Sequence, residues 1–322
     1  MPSTISREII EEKILENFME YQDVFTEFQS YFCVGLYKRY QNIENGNLVL
    51  YFAKQVHQDI LRQKDYDLNF NFSLKKFWEN HKLFNPTKNS LIKIANETCL
   101  PKETTRRKIA QLIKQKVLSK KNNYIGWLPN EQYKENYNLF INEEIKNLSR
   151  ILIFVVKKIN LSINSETITE ELKKKFNFYW FHYLSTQLKY LKLWSVQIKD
   201  LDLFLILLQI VNIFSSKKKI NNLSHEQIYN NPSVINNFSD ASISATSISE
   251  VTGIPRATCI RKLENLVKLK FILKDKISKR YYLSSLSVSD NLISKKITQE
   301  ATKIFSDFYF ICIRAMFVKS SS

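Results

Sequence analysis

Residues Ser247 to Leu283 read SISEVTGIPRATCIRKLENLVKLKFILKDKISKRYYL, and the spacing within them decides the fold. Ser247 and Glu250 stand at Ser-x-x-Glu spacing, where hydroxyl and carboxylate can satisfy free backbone N–H groups, so a helix is predicted to begin at Ser247. Gly253 supplies the left-handed backbone that ends a helix, and Pro255 has a φ already suited to the first turn of the next. In that second helix Cys259, Leu263, Leu266 and Val267 recur at three- and four-residue steps. They predict a buried stripe that leaves Arg256, Ala257, Thr258, Ile260, Arg261 and Lys262 outward. Phe271–Leu273 and Arg280–Leu283 have strand composition and flank Lys274–Lys279, which reads as a charged hairpin tip.

Two short helices, a tight turn and a basic hairpin in this order resemble a winged helix-turn-helix of the MarR-type and related bacterial transcription regulators. The resemblance covers Ser247–Leu283. It implies a protein that binds double-stranded DNA, with the second helix in the major groove and the hairpin, or wing, against phosphates. It also implies flanking helices through which such proteins dimerise, and a small-molecule effector as a possible partner held between them. Phe25, Phe28 and Phe32, like Phe204 and Phe214, are nevertheless spaced as helix core residues, and core packing is the stronger reading of them.

A second copy of the stretch lies 154 residues earlier, in IANETCLPKETTRRKIAQLIKQKVLSK, where Pro101 meets Pro255. Over residues 94–120 ten of 27 positions are identical, among them Thr98/Thr252, Thr104/Thr258, Arg107/Arg261, Lys108/Lys262 and Leu112/Leu266. The same offset sets Val49, Phe52, Val56 and Ile60 against Leu203, Ile206, Ile210 and Phe214. Beyond the hairpins it sets Leu139, Ile151, Phe154 and Val155 against Ile293, Phe305, Phe308 and Tyr309. The expected fold is therefore mainly α with small β-hairpin wings, written as a pseudo-twofold tandem repeat. Its two winged helix-turn-helix units, residues 1–160 and 161–322, are embedded in long flanking helices near 18–42 and 47–62, and near 167–196 and 200–214. The segment 217–246 reads as the loosest, with a short helix near Glu226. The first copy departs at its turn, where Cys99 replaces the glycine. A non-glycine residue in the left-handed conformation costs about 1–2 kcal/mol, so a different or strained turn is expected there. Its hairpin is predicted with Lys120–Asn123 as tip and Tyr124–Leu128 as returning strand.

Charge follows the motif. The chain carries a formal net charge of +17. Residues 247–283 hold nine Lys or Arg against three acids, whereas residues 1–32 hold two against seven. Positive charge is thus sorted toward the helix predicted to read DNA. Four glycines and six prolines disfavour a turn-dense all-β chain. The longest apolar run, Leu201–Phe214, is shorter than the roughly 20 residues a membrane span needs, and a cytoplasmic, nucleoid-associated protein is expected.

The candidate DNA contacts are Lys102, Thr104, Arg106, Arg107 and Lys108 on the first recognition helix, and Arg256, Thr258, Arg261 and Lys262 on the second. Lys120 and Lys121 on the first wing, and Lys276, Lys279 and Arg280 on the second, are assigned to phosphates. The bland alternative for all of them is a solvated basic face. Cys33, Cys99, Cys259 and Cys312 form no Cys-x-x-Cys pair, and His57, His81, His182 and His225 have no metal-ligand spacing, so neither metal nor cofactor is expected. No phosphate loop or nucleophile elbow is present, and Glu171-Leu172-Lys173 lacks a partnering acid, so no enzyme is expected. The duplication implies an intramolecular pseudo-dimer, open to further homodimerisation, that regulates transcription from an imperfect palindrome. A plasmid-type replication initiator with tandem winged helices, and a scaffold that uses its winged helices on proteins, are the alternatives.

Overall fold

In a computed structural model of the chain, the described residues are 5–63, 72–80, 89–122, 124–127, 131–217, 223–230, 238–284 and 292–317. They are mainly helical, with two small antiparallel hairpins. The first half runs α1 (Arg7–Glu16), α2 (Phe18–Tyr40), α3 (Ile43–Gln63), α4 (Leu74–Asn80), α5 (Leu91–Thr98), α6 (Lys102–Lys114), β1 (Leu118–Lys121), β2 (Tyr124–Trp127) and α7 (Glu131–Lys158). The second runs α8 (Ser165–Lys174), α9 (Phe176–Ile198), α10 (Leu201–Lys217), α11 (His225–Asn230), a 3₁₀ turn (Phe238–Ala241), α12 (Ala245–Thr252), α13 (Arg256–Lys268), β3 (Ile272–Lys274), β4 (Tyr281–Leu283) and α14 (Leu292–Phe317).

The order of elements recurs, and so do the backbone details between them. Asn17 (φ −111°, ψ 38°) breaks α1 from α2, and Lys175 (φ −108°, ψ 39°) breaks α8 from α9. Each break turns a phenylalanine, Phe18 or Phe176, into the core. The single helix expected near 167–196 is therefore two. Left-handed residues Gln41 and Lys199 then end α2 and α9.

The spacing between the copies is not constant. Phe18 and Phe176, and Ile43 and Leu201, begin corresponding helices 158 residues apart, whereas α5 and α12 begin 154 apart. Helix α10 has 17 residues against 21 in α3, about one turn fewer. The expected partners of Val49, Phe52, Val56 and Ile60 are corrected accordingly, since Val49 corresponds to Leu207. In the closing helices Tyr137 sits against Trp78 as Thr298 sits against Tyr229, an offset of 161, which also displaces the expected Leu139/Ile293 register.

Helices α2, α3, α9 and α10 form the centre, with α3 against α9 and α2 against α10. Around them α1 lies on α14 and α8 on α7, so each half lends helices to the other's flank. The interior is continuous from Ile10 to Ile313. Hence residues 1–160 and 161–322 share one core. Helix α5 rests on α3 and α9, α12 rests on α10 and α2, and the returning strands β2 and β4 lie on α3 and α10. Each two-helix-and-hairpin segment is thus seated on helices from both halves. Among the described residues, no helix is long and apolar enough to cross a membrane.

Candidate nucleic-acid interface

Each hairpin-bearing segment begins on a serine. Ser244 Oγ accepts from the Ser247 N–H at 3.0 Å, and Ser90 Oγ accepts from the Lys93 N–H at 3.2 Å. This corrects the expected start at Ser247. The cap lies three residues upstream, because Ser244 offers the same acceptor and adds Ala245, a strong helix former, to the first turn.

The turns that follow are alike despite their different residues. Gly253 has φ 78° and ψ 2°, and Cys99 holds the same left-handed region at φ 57° and ψ 31°. Buried Thr252 and Thr98 donate to the carbonyls of Ile248 (2.6 Å) and Ile94 (2.8 Å). Asn47 Nδ2 adds a bond to the Thr98 carbonyl at 3.1 Å. These contacts offset a backbone cost of about 1–2 kcal/mol at Cys99. Pro101 and Pro255 cap the next helices with extended ψ values of 140° and 134°, one position before the first helical residue.

On α6 the side chains of Lys102, Arg106 and Arg107 are exposed and Thr104 is half-buried. Arg106 pairs on the surface with Glu103 at 2.7 Å, leaving Lys102 and Arg107 as the more available cations. On α13 Arg256 and Arg261 are exposed and Thr258 is half-buried. Arg256 Nε donates to Thr246 Oγ1 at 3.0 Å, which fixes its guanidinium beside the N-terminus of α12.

Lys108 and Lys262 do not belong to this face. Lys262 is only 8% exposed, and its ammonium meets Asp200 Oδ2 at 2.5 Å and Asp202 Oδ2 at 4.0 Å. Lys108 meets Glu44 Oε2 at 3.0 Å, Asn45 Oδ1 at 3.2 Å and Asn42 Oδ1 at 3.3 Å. Asn42 and Asp200 cap α3 and α10, accepting from the Asn45 N–H (2.7 Å) and the Leu203 N–H (3.1 Å). Each lysine therefore ties its segment to the N-terminus of a central helix, where carboxylates gather against the helix dipole. Burial still pushes the Asp202 carboxyl above its ordinary range, against the pull of the Ile43 N–H and Lys262. The expectation that Lys108 and Lys262 face outward is corrected: a lysine with carboxylates in reach is drawn inward to neutralise them.

The wings differ. Lys120 and Lys121 are exposed strand residues of β1, and left-handed Asn122 starts the tip. The remainder of that tip, Asn123, and the predicted strand end at Leu128 lie outside the described residues. In the second hairpin Lys276 and Lys279 are exposed at the tip, and Arg280 donates to the Ser242 carbonyl at 3.2 Å. Lys274 is held by Glu264 at 2.6 Å, and Ile277 is 93% exposed between the charges.

One cation was missed by sequence reasoning. Lys38, on α2, is exposed and packs its stem 3.7 Å from where a Cβ on Gly253 would stand, so the first half adds a positive charge beside the second half's turn. No local pattern signals it, because the contact spans the two halves.

His57 is buried, its Nδ1 2.7 Å from Asn177 Oδ1, and burial lowers its pKa to about 3. Cys259 is buried and Cys99 half-buried, and no group of His, Cys, Asp or Glu among the described residues could hold a metal ion. Glu171 lies on helix α8, paired with Lys175.

Comparison of the chain with protein-family models, curated proteins and solved structures returns no match.

Proposed function

We propose that the chain is a sequence-specific, double-stranded-DNA-binding transcription regulator built as an intramolecular pseudo-dimer of two winged helix-turn-helix units. In this reading α6 and α13 are the recognition helices, and the β1–β2 and β3–β4 hairpins are the wings. The observation that carries the proposal is the recurrence of one cap–helix–left-handed turn–helix–hairpin segment on both sides of a shared core. In both copies an arginine, Arg107 or Arg261, stays exposed while the lysine after it is tied inward. Retained exposure of an unpaired arginine beside a buried lysine supports selection for an outside partner. Bidentate recognition of guanine is the use to which an arginine at that place is best suited.

The two helices would enter successive major grooves about 34 Å apart on one face of the duplex. Glu103/Ala257 and Arg106/Ile260 differ, so the half-sites are unequal and the operator is an imperfect palindrome. Lys102, Arg256, Lys120, Lys121, Lys276, Lys279 and Lys38 would neutralise phosphates, and their effect would fall with salt.

Selection of bound duplexes from a random pool, followed by anisotropy titration at several salt concentrations, tests this. The expected result is two related but unequal half-sites about one helical turn apart. Failure of the full chain to retain any duplex at low salt would overturn the proposal.

A further inference from the structure

The two halves fill one corresponding place in opposite ways. In the first, Phe77 and Trp78 of α4, Trp127 of β2 and Tyr137 of α7 form a closed aromatic cluster. Its ring centroids are 5.1 Å apart for Phe77–Trp78, 5.9 Å for Trp78–Tyr137 and 5.2 Å for Trp127–Tyr137. Phe140 lies one turn along α7, buried.

Backbone geometry identifies the corresponding residues in the second half. The Asn177 N–H donates to the Phe72 carbonyl (3.1 Å), and the Met19 N–H donates to the Leu223 carbonyl (3.2 Å). Counting on from Phe72 and Leu223, Ile228 and Tyr229 stand where Phe77 and Trp78 do. The strand pair Leu118–Trp127 is matched by Ile272–Leu283, so Leu283 takes the place of Trp127. Thr298 then takes that of Tyr137, and Ala301 that of Phe140. Three rings are replaced by leucine, threonine and alanine. A cavity of about 140 Å³ is found there, walled by Phe25, Tyr229, Phe271, Leu283, Thr298 and Ala301. The Thr298 hydroxyl is already engaged, 2.8 Å from His225 Nε2 and 3.2 Å from the Tyr229 oxygen it donates to.

The lining of the cavity is mostly apolar, and its volume is close to that of an apolar cavity that takes up benzene. We infer that this cavity is a binding site for a single-ring apolar aromatic compound of the benzene or toluene class, which restores the ring volume present in the first half. Phe271 and Leu283 come from the second hairpin, so the occupant touches that hairpin directly. The inference stands on the cavity and on the correspondence of the halves, and it is independent of DNA binding.

Titrating toluene into the full-length chain, by calorimetry and by melting temperature, tests it. The wild type should bind one molecule per chain and its melting temperature should rise with toluene concentration. Ala301→Phe should lower the affinity at least about tenfold. Ala301→Leu, which adds less volume, should give a smaller loss and keeps the test open if the phenylalanine variant does not fold. Absence of saturable binding by the wild type, or unchanged binding in both variants, would overturn the assignment.

Discussion

The two halves share an order of elements and differ in what they bury. The first half closes its interior with Trp78, Trp127, Tyr137 and Phe140, and beside them it buries a carboxyl, Glu144. At the corresponding places the second half has Tyr229, Leu283, Thr298, Ala301 and Phe305, with a cavity among them. The surface segments, by contrast, keep their caps, left-handed turns, prolines and exposed arginines. The two segments are thus alike at their turns and caps and unlike in the interior beneath them.

The largest test of this contrast is packing. Trp127→Ala should cost about 3–5 kcal/mol in urea denaturation, because a closed ring cluster loses its middle. Leu283→Ala should cost about 2 kcal/mol, the low end for a leucine, because part of its surroundings is already empty. Equal costs would show that the two interiors are equally packed.

Next comes the buried carboxyl. Tyr183 donates its hydroxyl to Glu144, and burial raises the Glu144 pKa to about 8, against the lowering effects of Tyr183 and Arg39. The folded state thus holds this proton more tightly than the unfolded state, where the pKa is near the ordinary carboxyl value of 4.5. The stability it contributes is complete below 4.5 and is lost as pH rises to about 8. His57 and His225, lowered by burial to about 3 and 4 from 6.5, act in the opposite sense, and their stability is lost as pH falls below 6.5. Between pH 6.5 and 8 the Glu144 slope should therefore stand alone, amounting to a few kcal/mol at most. Glu144→Gln should flatten it, since the amide oxygen still accepts from Tyr183. A slope retained in that variant would assign it to another group.

On DNA, Arg107→Ala and Arg261→Ala should each cost about 1–3 kcal/mol on the selected site and relax one base position, in different half-sites. Effects confined to one arginine would make the halves unequal in function as well as in packing.

Smallest is the tie under α13. Lys262→Met should cost about 1–2 kcal/mol in stability, below the range for fully buried pairs because Asp200 is partly exposed. It should leave the salt dependence of DNA binding unchanged, whereas Lys279→Ala should reduce it. A shallower salt slope for Lys262→Met would return that lysine to the DNA face.

Much of the surface architecture was legible in the sequence, because caps, turns and hairpins are local. Pro101 and Pro255, Gly253, the stripe of Cys259, Leu263 and Leu266, and the basic tips all act on neighbours a few residues away. The predicted start at Ser247 falls three residues late because Ser244 and Ser247 offer the same chemistry, and only the geometry selects between them. The break at Lys175 left no mark, since a lysine has no strong preference against the helix.

What the sequence alone determined is the helical content, the pair of hairpins and the repetition of one pattern 154 residues apart. What tertiary structure decided is where the repeated residues point. Lys262 shares its identity and its helical position with Lys108, and both looked outward on a helical wheel. Their partners, Asp200 and Asp202 for one and Glu44, Asn42 and Asn45 for the other, lie some sixty residues away in sequence. The cavity likewise needs α2, α9, α10, α11, the second hairpin and α14 brought together before the loss of three rings becomes a space. Burial is a property of assembled surfaces, and no spacing rule within one helix can report it.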